Sequence, residues 1–467
     1  MSKSTNAFAP LDHMPFNWFQ WRSMITTGMG VFTDGYDLSS VGIVLTLVLA
    51  SFGVHSLTGL QSSLLAGSAL IGAAVGAVLF GFLGNRGRKA FYGWDVTIMA
   101  VGAILQAIVP NVDALIAVRF IMGIGIGADY VLSPVIMAEH ANARDRGKTI
   151  AAGFGLTWGL GATTAAALYL ALVAAHVPPG LIWRIVLGFG AVPALSVIAL
   201  RRKMPETARF LGRIKGQADE ARAVITQATQ VTPPADWAVS ADRRSFHEFW
   251  TTHGSRIIVA SVLWFLFDMV AYSGILFGPS LIAKGLGLSP GTFQLLMEFA
   301  FVVPGALIAL LLIDRWGRKP LQVLGFVGIA ATLAAFGVYQ QSSHAVPLFS
   351  LLLYGGYNLV SQAGPGSVSA AGMLGVELAP TKIRSVVQGV TVASGRVGAS
   401  LSAFVFPALF HHWGESGAVG FLASIGLLAA GITLIGVPET RQRSLEDTAR
   451  DADEPARHLS EAWAPDI

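Results

Sequence analysis

Long apolar runs separated by short polar breaks constrain this chain more than any other feature. The runs cover residues 24–50, 61–83, 91–110, 114–138, 149–175 and 181–200 in the first half. In the second half they cover 256–281, 292–313, 320–340, 346–372, 385–411 and 416–437. Each reaches the roughly 20 residues that a helix needs to cross hydrocarbon. A helix is the form in which a single segment satisfies all its own backbone groups there. Only 12% of residues are charged and 53% are hydrophobic, against about 25% charged in soluble domains. The expected fold is all-α integral membrane, with twelve transmembrane helices.

The breaks alternate in charge. Arg86, Arg88 and Lys89, then Arg144, Arg146 and Lys148, then Arg201, Arg202 and Lys203 lie on one side. Arg315, Arg318 and Lys319, then Lys382 and Arg384, then Arg441 and Arg443 continue the series, and the intervening breaks carry almost no basic residues. Basic loops stay in the cytoplasm, so both termini are expected inside a cell membrane (inner or plasma). The net charge of +4 then reflects topology, and no nucleic-acid partner is expected. Residues 1–23 read as a cytoplasmic N-terminal segment without a cleavable signal, because they lack an apolar core. Residues 24–200 and 256–437 read as two six-helix bundles. Residues 201–255 are a cytoplasmic linker with an amphipathic helix near 217–228, and residues 438–467 are a charged, mobile tail. The chain has no cysteine, which excludes disulfides and thiol chemistry. No metal-ligand cluster, phosphate-cradling loop or catalytic triad spacing occurs, so no metal, cofactor or catalytic residue is expected. The outer breaks are too short to hold an enzyme site.

The two halves repeat each other. Glu139-x6-Arg146 follows the fourth run, and Glu377-x6-Arg384 follows the tenth. Pro205-Glu206-Thr207 follows the sixth, and Pro438-Glu439-Thr440 follows the twelfth. Asn85-Arg86-Gly87-Arg88-Lys89 follows the second, and Asp314-Arg315-Trp316-Gly317-Arg318-Lys319 follows the eighth, one residue longer. The bundles are therefore expected to be pseudo-symmetric. Arg86, Glu139, Arg146, Asp314, Arg318, Glu377 and Arg384 are candidates for a gate that latches the bundles on the basic side; the alternative is that they only hold loops inside.

Within the seventh run, Trp264, Asp268 and Tyr272 fall along one helical stripe. A carboxylate in mid-membrane costs about 3 kcal/mol on insertion scales, which is tolerable facing a wet cavity. With an aromatic on either side, the stripe reads as a binding surface or as a paired carboxylate with packing aromatics.

These landmarks resemble the major facilitator superfamily of transporters over nearly the whole chain. The resemblance implies two parallel six-helix halves around a midplane site. The phosphate:proton symporters resemble it most, with sugar porters next. Thr33-Asp34-Gly35-Tyr36-Asp37-Leu38 resembles the symporters' first-helix pattern. Gly125-Ile126-Gly127-Ala128-Asp129-Tyr130-Val131-Leu132-Ser133 resembles their fourth-helix signature, with Ala128 and Val131 departing. Tyr92-Gly93-Trp94-Asp95 resembles a third-helix element, and Trp264-x3-Asp268-x3-Tyr272 the seventh-helix substrate triad. Where the group has a fifth-helix glutamine and a tenth-helix asparagine, this chain offers Thr157 and Trp158, and Gly364-Pro365-Gly366 with Asn358 and Gln362 nearby. Fewer donors and one more aromatic suit a larger anion than phosphate, such as an organic acid.

The resemblance implies a proton-coupled symporter of a small anion, phosphate-like or organic acid; the alternative is a sugar or neutral-metabolite symporter. Tyr130, Trp158, Trp264, Asp268 and Tyr272 are the expected substrate contacts. Asp34, Asp37, Asp95, Arg119 and Asp129 are the expected proton-coupling set. In it Asp34 pairs with Arg119 on the outer side, and the proton passes from Asp34 through Asp129 to Asp95, unless Asp95 merely sits at the interface. Arg396 reads as a cavity cation or a packing residue, and Glu298 as a helix–helix hydrogen bond. The partners are a small-molecule substrate, protons and the lipid bilayer, with a monomer expected.

Overall fold

The computed structural model describes residues 6–54, 57–234, 237–239, 241–449 and 451. Every regular element among them is a helix. Ten are long and apolar enough to cross a membrane. They are α1 (Trp18–Ser51), α2 (Gly59–Gly84), α3 (Arg88–Ile108), α4 (Val112–His140), α5 (Arg146–Ala174), α6 (Pro179–Arg202), α7 (Phe246–Gly285), α8 (Pro290–Leu312), α9 (Arg318–Tyr339) and α11 (Arg384–Gly436). The helix α10 (Pro347–Ser361) lies between the last two. It runs on through a wide i→i+5 turn at Gln362–Gly366. Helix α11 spans 53 residues but is broken at Gly414, whose φ of 70° and ψ of 178° are not helical.

The starts follow local chemistry. Asn17 and Gln20 exchange side-chain bonds to each other's backbone N–H at the head of α1, as do Thr58 and Gln61 before α2. Ser245 and Glu248 do the same before α7. These reciprocal boxes satisfy orphan N–H groups. For that reason α7 starts at Phe246, not at residue 256 where its apolar run begins. Helices α2 and α4 interlock through small residues. A Cβ on Gly72 or Gly76 would come within 2.0 and 2.2 Å of the Phe120 and Ile124 carbonyl oxygens. A Cβ on Gly123 or Gly127 would come within 2.1 and 2.0 Å of the Ala69 and Ala73 oxygens. Contact this close is how helices associate where burial of apolar surface gives no drive.

On the basic face, the N-terminal segment, the linker and the tail form one small layer. Phe8, Leu11, Phe210, Ile225 and Trp237 share its apolar core. The linker helix is present as Ala218–Thr229, burying Ala221, Ile225 and Ala228. The tail corrects an expectation. Residues 445–449 form a helix in which Leu445 and Glu446 are buried, because Glu446 accepts from Arg209 at 2.8 Å and Leu445 joins the main core. The expected mobile segment 452–467 lies outside the described residues.

Candidate functional site

A cavity of about 620 Å³ including its mouth opens among α4, α5, α7, α8, α10 and α11. Wide i→i+5 turns shape its wall. Ala151–Leu156 presents Phe154 and Gly155, Glu298–Val302 presents Glu298 and Val302, and Gln362–Gly366 presents Gln362 and Gly366. Such insertions in a helix recur at functional sites.

One wall is charged and aromatic. The Arg396 guanidinium lies 4.0 Å from the Tyr130 ring centroid and 5.3 Å from that of Tyr272. Its Nη1 donates to the Tyr272 hydroxyl and to Asp268 Oδ2, the latter at 3.4 Å. A guanidinium over aromatic faces gains cation–π energy. Its Nε has no protein partner among the described residues. Four of the five expected contacts, Tyr130, Trp158, Asp268 and Tyr272, line the cavity. The fifth, Trp264, is 1% exposed, packs beside Tyr130 with ring centroids 6.3 Å apart, and does not reach the wall. Arg396 is thus a cavity cation. The sequence left it open because a lone arginine in an apolar run reads equally as packing.

A second polar centre lies next to this wall. Arg201 Nη1 donates to Asp95 Oδ2 and Asp129 Oδ1, each at 2.6 Å. Ser133 Oγ donates to Asp129 Oδ1 at 2.5 Å. The guanidinium also covers the Tyr92 ring at 4.3 Å. Gly93, at φ 112°, turns the chain so that Asp95 Oδ1 accepts from the Gly93 and Val96 N–H groups at 2.8 Å. Arg201 is the residue that sequence reasoning missed. It reads as one of three basic loop residues, whereas the loop begins only after it, and Arg201 itself is fully buried. Asp34 is buried against this centre, with Asp129, Arg396, Arg201 and Asp37 as its charged neighbours.

The expected Asp34–Arg119 pair is not formed. Arg119 Nη1 donates to Gln106 Oε1 at 3.1 Å, and the carboxylate acting on it is Asp37. Ten residues of α4 separate Arg119 from Asp129, about 15 Å along the axis. One carboxylate of α1 cannot serve both, so Asp34 faces Asp129 and Asp37, one turn on, faces Arg119. Glu298 does not bond another helix. Its Oε1 accepts from Gln294 of the same helix at 2.8 Å, and its side chain lines the cavity.

On the basic face the repeated motifs interlock. Glu139 accepts from Arg88 at 3.2 Å and from Arg384 at 2.8 Å. Glu377 accepts from Arg318 at 2.9 Å and from Arg146 at 2.8 Å. Each glutamate therefore holds one arginine from its own half and one from the other. Thr207 donates to Glu139 and Thr440 donates to Glu377, again as counterparts. Asp314 Oδ2 accepts from the Lys148 N–H at 2.8 Å, and Asn85 Nδ2 donates to the Lys382 carbonyl at 2.8 Å. Arg86, expected in this set, is exposed, and Arg88 takes its place. The one-residue deletion explains this: counted from the glycine, Arg88 matches Arg318, and Arg86 falls at the position of Trp316.

A model of the family described as "Sugar (and other) transporter" matches residues 23–452. The chain belongs to that family. Among relatives of this sugar (and other) transporter, a probable inorganic phosphate transporter 1-6 of Arabidopsis thaliana is 30% identical, covering 95% of this chain and 96% of the relative. A probable inorganic phosphate transporter 1-10 of Oryza sativa subsp. japonica is 32% identical, covering 94% and 91%. Among solved structures, the proton:xylose symporter XylE bound to 6-bromo-6-deoxy-D-glucose superposes with a TM-score of 0.77 at 23% identity, covering 92% of this chain and 98% of the other. The inward-open conformation of the xylose transporter XylE from E. coli gives 0.67 at 22% identity, covering 93% and 99%. The fold is thus that of the major facilitator superfamily, and the family is one of transporters.

Proposed function

We propose that the chain is a secondary active transporter that moves a small anion together with protons by alternating access. The observation that carries this reading is Arg396, a buried guanidinium on the cavity wall whose Nε meets no acceptor among the described residues. An anion there gains charge-assisted hydrogen bonds, while Tyr130, Trp158, Asp268 and Tyr272 frame it. Trp264 holds Tyr130 and Asp268 in place from behind. The relatives named as inorganic phosphate transporters favour a phosphate-like anion. A neutral sugar would offer the Arg396 Nε no charged acceptor, leaving Asp268 as the guanidinium's only anion among the described residues.

Asp34, Asp129 and Asp95 carry the proton, with Arg201 as the counter-ion that they share, while Asp37 lies near Arg119 toward the other face without bonding it. When Asp129 takes a proton, Arg201 is released toward Asp95, and the charge facing the cavity changes. Protonating Asp268 would likewise lower the repulsion between that carboxylate and an arriving anion. One charge moved through 100 mV gains about 2.3 kcal/mol, and one pH unit adds about 1.4 kcal/mol. Together they support a gradient of several hundred-fold per inward charge.

The break at Gly414 divides α11 into two spans. With α10, the count is twelve, arranged as six-helix bundles 24–200 and 256–437 around the cavity. The basic face is cytoplasmic, with both termini inside a cell membrane and the protein a monomer. The Glu139 and Glu377 networks close that side, so the cavity is served from the other. The test is accumulation of labelled phosphate and of small organic acids in proteoliposomes under an inward proton gradient. Wild type accumulates one of these anions and Arg396→Gln loses at least tenfold. Equal accumulation by the variant would remove the anion site from this cavity.

A further inference from the structure

Glu298 is a second carboxylate in the cavity, outside the Arg396–Asp268 wall. It is 3% exposed, its Oε1 is bound to Gln294, and its Oε2 meets no protein donor among the described residues. It opens the wide turn Glu298–Val302, so the helix backbone is reshaped at the position that presents it. Its surroundings on the wall are neutral and polar: Tyr357, Asn358, Ser361 and Gln362. A buried acceptor without a donor costs about 1–3 kcal/mol, more when charged. The remedy here is a donor brought in by the cargo.

Resting on the transport reading above, we propose that Glu298 is a specificity residue, and that the substrate is an organic anion bearing a hydroxyl group away from its charge. The anionic end meets Arg396 and Tyr272, and the hydroxyl donates to Glu298 Oε2. A hydroxyl supplies that donor without adding a charge, in a corner whose other lining groups, the amides and the Tyr357 ring, are neutral. Sites built to bond a hydroxyl reject the analogue that lacks it far more strongly than sites that only add or remove a methylene.

The experiment compares matched pairs in proteoliposomes under an inward proton gradient: glycerol 3-phosphate against propyl phosphate, and 4-hydroxybutyrate against butyrate. The two pairs separate a phosphate from a carboxylate as the anionic end. In the wild type, the hydroxyl-bearing member of one pair is taken up at least tenfold better. In Glu298→Leu that ratio falls toward one. In Glu298→Gln, which keeps an accepting carbonyl and guards against a Leu variant that does not fold, it falls about threefold. A wild-type ratio near one in both pairs overturns the assignment of Glu298 and leaves the symport reading standing. So does a ratio that neither variant changes. If no anion of any kind accumulates in the wild type, the symport reading fails and this inference fails with it.

Discussion

Arg201 bonds Asp95 and Asp129 through a single nitrogen, at 2.6 Å each, with all three side chains fully buried. Two carboxylates on one guanidinium leave one negative charge in excess, beside the equally buried Asp34. Removing one partner of a buried ion pair costs about 3–5 kcal/mol, because the other is left uncompensated. Arg201→Gln is therefore expected to lower thermal stability by about that amount and to abolish proton-driven accumulation. Adding Asp95→Asn and Asp129→Asn to it should recover stability but not accumulation. Thermal unfolding in detergent, read beside uptake, checks both arms; strictly additive losses would show that the three do not act as a unit.

Gly30 makes this centre sensitive to a single methyl group. A Cβ there would lie 1.8 Å from Arg201 Nη2 and 2.4 Å from Asp129 Oδ2. Gly30→Ala should therefore cut uptake by more than tenfold. Gly431→Ala, where nothing lies within 4 Å of the added carbon, should leave it unchanged. Similar uptake rates for the two would contradict the packing around Arg201.

The proposed closure of the basic face predicts accessibility. Because the chain has no cysteine, Ser361→Cys on the cavity wall is a unique label site. With Glu139 and Glu377 intact, an impermeant maleimide added from the cytoplasmic side should react slowly. Glu139→Gln or Glu377→Gln, each weakening two arginine contacts, should raise the rate about 5–10-fold. A rate that neither substitution raises would show that these glutamates do not govern access.

The layer on the basic face has a pH signature. Burial, with Glu446 adding to it, pushes the Asp12 carboxyl up to about 6 despite Arg209. Burial also acts to raise Glu446, but the Arg209 guanidinium outweighs it and holds that carboxyl down at about 2. The signs are opposite. The contribution of Asp12 is full below its unfolded value near 3.8 and is lost as pH rises through about 6. That of Glu446 is full above its unfolded value near 4.5 and is lost as pH falls toward 2. Amide exchange of residues 8–14 and 445–449 should therefore be slowest around pH 4–5. Asp12→Asn should remove the loosening on the neutral side only.

The membrane helices were legible because an apolar run of the right length has few alternatives, and the paired glutamate and arginine motifs on the basic face were legible because they are written twice. What escaped depended on registers that spacing alone does not set. Arg88 displaced Arg86 because a deletion shifts the first loop by one residue, visible only when the loops are aligned on Gly87 and Gly317. Arg119 bonds Gln106 and has Asp37, not Asp34, as its charged neighbour, because pairing between helices depends on their relative height. Arg201 looked like loop charge because hydropathy ends a run at the first charged residue, although the helix continues. Glu298 and Arg396 stood as isolated charges, and only the helices packed around them decide whether such a charge faces protein or cavity. The tail looked mobile by composition, yet Arg209 and the core hold its described part.

The crossed pattern of Glu139 and Glu377 has a mechanical consequence. Because each carboxylate bonds an arginine of the opposite half, parting the halves on this face has to break Glu139–Arg384 and Glu377–Arg146 alike.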